Sequence, residues 1–188
     1  PEEVPKMETT EKIVEAYARY VEGWATIPNI RCPGQSEIDL LAIDPKTGNK
    51  YHIESGVSIS GAHSKLTAKP FDPERMKVRV EKPAQRRTLG YFVKHKFSSP
   101  GVMKTLRDYG FIKGRYGKII VTWGWTPEAF HEAQQLGIDL WDFPDLMDKI
   151  AKKIEDKRSY FTDDTLRTIH LFVKGTGGRN RNAGAESD

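Results

Sequence analysis

Two carboxylates stand inside runs that are otherwise apolar: Asp39 within EIDLLAI (37–43) and Glu54 within YHIESGVSI (51–59). A strand sends successive side chains to opposite faces. Glu37 and Asp39 therefore share a face with Leu41, while His52, Glu54, Gly56 and Ser58 share a face opposite Tyr51, Ile53 and Val57. A carboxylate among hydrophobic neighbours is expensive unless it is paired, protonated or bound to a cation. A few carboxylate oxygens, completed by water and a substrate phosphate, are the usual setting for Mg2+. Such an ion polarises a scissile phosphate and lowers the pKa of an attacking water. A carboxylate in a strand is more often a solvated face than a ligand, so the residues alone also allow Asp39 and Glu54 to face solvent on a half-exposed sheet.

A second feature is charge. Between Lys65 and Lys96 there are ten basic residues against three acidic ones, a local +7 in a chain whose total is +4, so the remainder carries −3. The basic residues include Lys65, Lys69, Arg75, Lys77, Arg79, Arg86, Arg87, Lys94 and Lys96, with Phe71, Tyr91 and Phe97 interleaved. Lys and Arg near phosphates release condensed counterions, and aromatic rings offer stacking surfaces, so the block suits a nucleic acid. DNA is the first expectation and RNA the alternative, since no RNA-module signature is present. Arg86 and Arg87, at the start of a predicted helix, are the best candidates for phosphate contact.

Other chemistries find little support. The single cysteine, Cys32, allows neither an internal disulfide nor a Cys-rich zinc cluster. The segment Gly110–Gly117 lacks the Lys-Ser or Lys-Thr pair of a phosphate loop, and no serine-hydrolase, zinc-protease or dinucleotide fingerprint appears. No run approaches the roughly 20 apolar residues of a membrane span, and the opening PEEVPKMETT does not read as a secretory signal. A cytoplasmic setting is the resulting expectation.

The elements that must position these residues can be read from spacing and punctuation. Thr9 or Thr10 can cap a helix over 11–21, with Ile13, Tyr17, Tyr20 and Val21 as its apolar stripe. Residues 24–31 read as extended, with Pro28 unsuited to a central strand. Strands over 37–43 and 51–59 flank the turn Asp44-Pro45-Lys46-Thr47-Gly48-Asn49. A helix is predicted from near Pro83, a second from the Ser99-Pro100 start signal to Tyr109, a buried strand over 118–123, and a helix from Thr126-Pro127 closed by Gly137. A short strand over 138–141, helices over 144–154 and 162–173, and a disordered polar tail over 175–188 complete the chain. The order predicts one α/β domain over 1–174 with helices packed on a central mixed sheet, and a parallel crossover between the last two strands.

This succession resembles the PD-(D/E)XK nuclease superfamily: a helix, a turn with Gly and Gln, EIDLLAID, then a strand carrying a glutamate. KIIVTWGWTPEAFHEAQQLGIDLWDFPDL is similar to the C-terminal half of Mrr-type restriction endonucleases, whose core Holliday-junction resolvases share. The resemblance covers roughly 11–154 and implies a restriction-endonuclease-like fold. It also implies a Mg2+- or Mn2+-dependent DNA endonuclease of the restriction or repair and recombination type. The metal would be held by Asp39, Glu54 and the carbonyl of Ser55. Glu15 is the best match for the assisting glutamate of the first helix, with Glu11 and Glu22 as rivals.

The resemblance breaks at one position. The family places a lysine two residues after the strand glutamate, and here that residue is Gly56. That lysine helps position the water and stabilises developing negative charge; glycine does neither. A cation could arrive from elsewhere, with Lys65, Lys69 or a residue of the basic helix as candidates. His52, on the face of Glu54, could hydrogen-bond the phosphate or act as a base near neutral pH. Alternatively the chain is a catalytically inactive nucleic-acid-binding or scaffold subunit on the same fold, within a larger assembly; a homodimer is the arrangement expected of a nuclease that cuts both strands.

Overall fold

The computed structural model describes residues 8–57, 65–71, 87–155, 157 and 161–182. Helix α1 (Thr9–Tyr20) precedes three strands, β1 (Ala25–Cys32), β2 (Ser36–Ile43) and β3 (Lys50–Ser55). A short helical turn, α2 (Leu89–Tyr91), runs straight into a π-helical turn, Phe92–Lys96. Then come α3 (Pro100–Asp108), β4 (Gly117–Thr122), α4 (Pro127–Gln135), β5 (Ile138–Asp142), α5 (Phe143–Glu155) and α6 (Asp164–Asn182).

The five strands lie in the order β1-β2-β3-β4-β5. β2 pairs antiparallel with both β1 and β3, whereas β3, β4 and β5 are parallel. The sheet is thus mixed, as expected from two hairpin strands followed by a strand–helix–strand unit. Pro28 sits on β1, an edge strand, where its missing N–H is tolerated.

Both faces of the sheet are covered. On one, Leu40, Ala42, Ile53, Ile119 and Val121 pack against Val14 and Tyr17 of α1, Leu146 and Ile150 of α5, and Leu166 of α6. On the other, Ile120 meets Leu89, Phe92 and Phe97 as well as Ala129 and Ala133 of α4. On that side Leu41 meets Val102 and Leu106 of α3. The alternation Ile119, Ile120, Val121 between the two layers is the strand period made visible. Each fully buried Leu or Ile contributes on the order of 1.5–3 kcal/mol, so these layers hold the sheet rigid beneath the site.

Several boundaries differ from the sequence expectation. α1 begins one residue beyond Glu8, whose N–H donates to Glu11 Oε2 at 3.0 Å, so a glutamate of the first turn satisfies the helix start in place of Thr9 or Thr10. β3 ends at Ser55, where Ser55 N–H turns to a side chain; of the strand expected over 51–59, residues 58–59 lie outside the described residues. The helix expected from Pro83 is seen from Leu89, and 81–86 lie outside the described residues. Ser99 caps nothing with its side chain; Pro100 alone marks the start of α3. α6 continues through 175–182, which the sequence reading assigned to a disordered tail. Extending an existing helix costs far less than nucleating one, and the Thr176 hydroxyl donates to the Phe172 carbonyl at 2.9 Å.

Candidate active site

The pairing of β2 with β3 runs from Ile43 opposite Lys50 to Leu40 opposite Ile53. Continued by one step, the register places Asp39 opposite Glu54, on the face that also carries Leu41 and His52. There the Asp39 carboxylate takes over from the ladder: Ser55 N–H donates to Asp39 Oδ2 at 2.7 Å. The site is therefore built where two strands stop exchanging backbone hydrogen bonds. Both carboxylates are buried, Asp39 at 5% exposure and Glu54 at 0%.

A lysine joins them. Lys96 Nζ lies 2.8 Å from Asp39 Oδ1 and 2.6 Å from Glu54 Oε2. Lys96 is the last residue of the π-helical turn, packed over this face of the sheet through Phe92 and Phe97. Lys96, expected from the sequence among the nucleic-acid contacts, stands here between two buried acids, with its side chain 14% exposed at the cleft.

His52 stands behind Glu54. Its Nε2 is 2.6 Å from Glu54 Oε1, both side chains are fully buried, and the ring meets Phe97 edge-on at 4.9 Å. Burial pushes the imidazole down to about 3, so the ring is neutral. With Glu54 ionised, Nε2 carries the proton and donates it, while Nδ1 has no partner among the described residues. The expectation that His52 meets a phosphate or works as a base near neutral pH does not fit a ring sealed at 0% exposure.

The open side of the site is a cleft of about 350 Å3 lined by Glu8, Thr10, Glu11, Glu37, Asp39, Ser55, Gly56, Val57, Arg87, Tyr91, Phe92 and Lys96. Glu11, Glu37 and Asp39 each offer a carboxylate oxygen within 4.8 Å of the others. Desolvation is the largest cause raising Asp39 to about 7, with the charge of Glu54 second; Glu54, also chiefly by burial, and Glu11, by burial against its neighbouring acids, rise to about 7 as well. Glu8, Glu11, Glu37, Asp39 and Glu54 share the site with two cations, Lys96 and Arg87, so ionising every acid leaves uncompensated negative charge.

The structure separates the remaining sequence candidates. Glu15 is turned away, accepting from Thr26 Oγ1 at 2.9 Å and facing Arg19, so the helix glutamate at the cleft is Glu11, one of its rivals. Lys65 is exposed beside Gly124, beyond the end of β4, and does not line the cleft. Lys69 and Lys94 are exposed. Arg87 lines the cleft, held there because its carbonyl accepts from Thr67 N–H at 3.0 Å. Arg75, Lys77, Arg79 and Arg86 lie outside the described residues. Sequence reasoning did not single out Glu37 as a ligand, although its parity with Asp39 was visible. It named Lys96 among the phosphate contacts and covered it as a substitute for the missing lysine only as an unnamed residue of the basic helix.

No protein-family model matches the chain, and no curated protein matches it. Among solved structures, a repair endonuclease from Pyrococcus abyssi is similar over 74% of this chain at 15% identity, with a TM-score of 0.41. The chain covers 48% of that endonuclease, about half its length. A protein described as being of unknown function is similar over 91% of this chain and 98% of its own, at 16% identity and a TM-score of 0.46. No helix of the described residues is long and apolar enough to cross a membrane.

Proposed function

We propose that the chain is a metal-dependent endonuclease that hydrolyses phosphodiester bonds in DNA, with its reacting centre at Asp39, Glu54 and Lys96. The observation that carries this reading is the Lys96 ammonium between two buried carboxylates on the floor of an acidic cleft. The donors at the cleft fit Mg2+ or Mn2+: Glu11, Glu37 and Asp39 bring hard carboxylate oxygens within 4.8 Å of one another. Asp39, Glu11 and Glu37 would hold the ion at the cleft, with Glu54 and the Ser55 carbonyl, the ligands the resemblance implies, beside them. When bound, it supplies polarisation of the scissile phosphate and a lowered pKa for the attacking water.

The chain's own groups have separate tasks. Lys96 presents a fixed positive charge where negative charge develops on the phosphate, in a site dry enough for that charge to count. Ser55 N–H and Lys96 together fix the rotamer of Asp39. His52 holds Glu54 Oε1, leaving Oε2 toward Lys96. Arg87 and Tyr91, on the cleft wall, are suited to a phosphate and a base respectively.

Incubation with plasmid, branched and single-stranded DNA plus Mg2+ or Mn2+ tests the proposal. Cleavage that disappears in Asp39→Ala and Glu54→Ala is expected. Intact DNA with the wild-type chain, or undiminished cleavage by either variant, removes the enzyme claim.

A second reading has one observation in its favour. Lys96 and His52 already satisfy much of the Asp39–Glu54 pair, so the cluster can stand as a closed ion-pair network without a metal. A nucleic-acid-binding or scaffold subunit on this fold would show salt-sensitive binding that survives Asp39→Ala and Glu54→Ala, and no divalent-metal affinity.

A further inference from the structure

We propose that Gly56, Phe92 and Lys96 form one positioning unit, in which the Phe92 ring fills the space above Gly56 and the turn that carries the ring also delivers Lys96 to the carboxylates. The proposal deepens the reading of Asp39, Glu54 and Lys96 as the reacting centre and rests on it. A Cβ placed on Gly56 would lie 2.6 Å from Phe92 Cζ and 3.3 Å from Cε2. That is well inside the distance at which carbon atoms attract, so the ring and any side chain at position 56 exclude each other. Backbone freedom is not the reason for the glycine, because Gly56 is absent from the residues with positive φ.

The ring cannot easily yield. Phe92 is 1% exposed and packs in one cluster with Leu66, Leu89, Phe97 and Ile120. Gly56 follows β3 directly and its N–H still donates to the Val121 carbonyl of β4 at 2.8 Å, so the alternation continues and residues 54 and 56 point to the same side. A longer side chain at 56 would therefore project toward the carboxylates through the volume that the ring now holds.

Lys96 follows from the same packing. Phe97 N–H reaches back five residues to the Phe92 carbonyl at 2.8 Å, closing a π-helical turn with one residue more than an α-turn. The two ends of that turn are buried rings: Phe92 seated on Gly56, and Phe97 edge-on to His52. Lys96 lies between them, with its side chain 14% exposed. Its ammonium meets Asp39 and Glu54 because the turn is clamped at both ends.

Lysine acetylation read by mass spectrometry reports the position of Lys96 without requiring cleavage. In the wild-type chain Lys96 should react about tenfold more slowly than exposed Lys94. Gly56→Ala should displace the ring and bring the Lys96 rate close to that of Lys94. Gly56→Ala/Phe92→Leu, which removes the ring atoms the new Cβ would meet, should restore protection. Unchanged labelling in folded Gly56→Ala overturns the unit, and so does failure of the double variant to restore protection. If Gly56→Ala cannot be recovered folded, a folded double variant supports the unit and an equally unfolded one overturns it.

Cleavage gives a second arm. Lys96→Met should abolish it, and Gly56→Lys/Phe92→Ala/Lys96→Met should regain about tenfold over Lys96→Met. Gly56→Lys/Lys96→Met with Phe92 intact should regain nothing; recovery there overturns the exclusion of residue 56 by the ring. Absence of cleavage by the wild-type chain removes the nuclease reading, while the labelling result still decides the positioning unit.

Discussion

His52 Nε2 lies 2.6 Å from Glu54 Oε1, in a contact from which solvent is wholly excluded. The ring is neutral, so it serves Glu54 as a fixed donor and not as a charge. Replacing His52 by Leu leaves a buried carboxylate oxygen unmet, at a cost of about 1–3 kcal/mol. His52→Leu should therefore lower the denaturant midpoint, and divalent-metal affinity with it. His52→Gln, which keeps an N–H at similar reach, should recover part of both. Equal midpoints for the Leu and Gln variants would show that packing, not the hydrogen bond, is what His52 supplies.

Stability of the metal-free protein should fall as pH rises from about 4.5 to above 7. Asp39, Glu54 and Glu11 have ordinary values of 3.8 to 4.5 and are raised to about 7 in the folded chain. Across that window the folded state binds more protons than the unfolded one, so the slope of unfolding free energy against pH is negative. His52 acts in the opposite sense: its value falls from 6.5 to about 3, so its contribution is lost on acidification through that range. Three carboxyls against one imidazole leave the net trend downward. Mg2+ or Mn2+ added at pH 8 should restore stability, since the ion binds the ionised acids of the folded state alone. Thermal melts at pH 5, 6.5 and 8, with and without the ion, measure both effects; a metal-free midpoint that rises between pH 5 and 8 would contradict the assignment.

How much of this could be read beforehand depended on the range of the interactions. The β2–β3 hairpin and the β4–α4–β5 unit follow from local signals: alternation, the 44–49 turn, and Thr126 Oγ1 accepting from Ala129 N–H at 3.3 Å. Parity alone placed His52 with Glu54 and Asp39 with Leu41. Parity carries no information on burial, so a sealed His52 was invisible. Lys96 was covered only as an unnamed residue of the basic helix, and could not be singled out for a different reason. It arrives from a turn far along the chain, and only the ring of Phe92 against Gly56 shows why the cation comes from there. Gly56 was legible as a departure from a pattern, but not as a contact.

Glu11 and Glu15 illustrate a finer limit and a direct test. They are four residues apart and so share one side of α1; periodicity cannot say which turn of the helix lies over Asp39. The structure places Glu11 within the acidic cluster and Glu15 against Thr26. Glu11→Gln should weaken Mn2+ binding on the order of tenfold, as removal of groups around a metal commonly does, whereas Glu15→Gln should leave it unchanged. Glutamine still offers an oxygen to Glu8 N–H, so the start of α1 should survive. Calorimetric titration with Mn2+ separates the two, and a larger effect from Glu15→Gln would reverse the assignment.

Nucleic-acid binding should distinguish the basic residues by where their charge is used. Each exposed Lys or Arg that neutralises a phosphate adds about 0.9 to the slope of log K against log salt. Lys94 is exposed and Arg87 lines the cleft, so Lys94→Gln and Arg87→Gln should each weaken binding across sequences and reduce that slope by about 1. Lys96 is already balanced by Asp39 and Glu54, so Lys96→Met should abolish cleavage while leaving the salt slope nearly intact. Fluorescence anisotropy of a labelled duplex between about 50 and 200 mM salt reads the slopes directly. A slope that drops by a full unit in Lys96→Met would place that ammonium on the DNA backbone and take it away from the carboxylates.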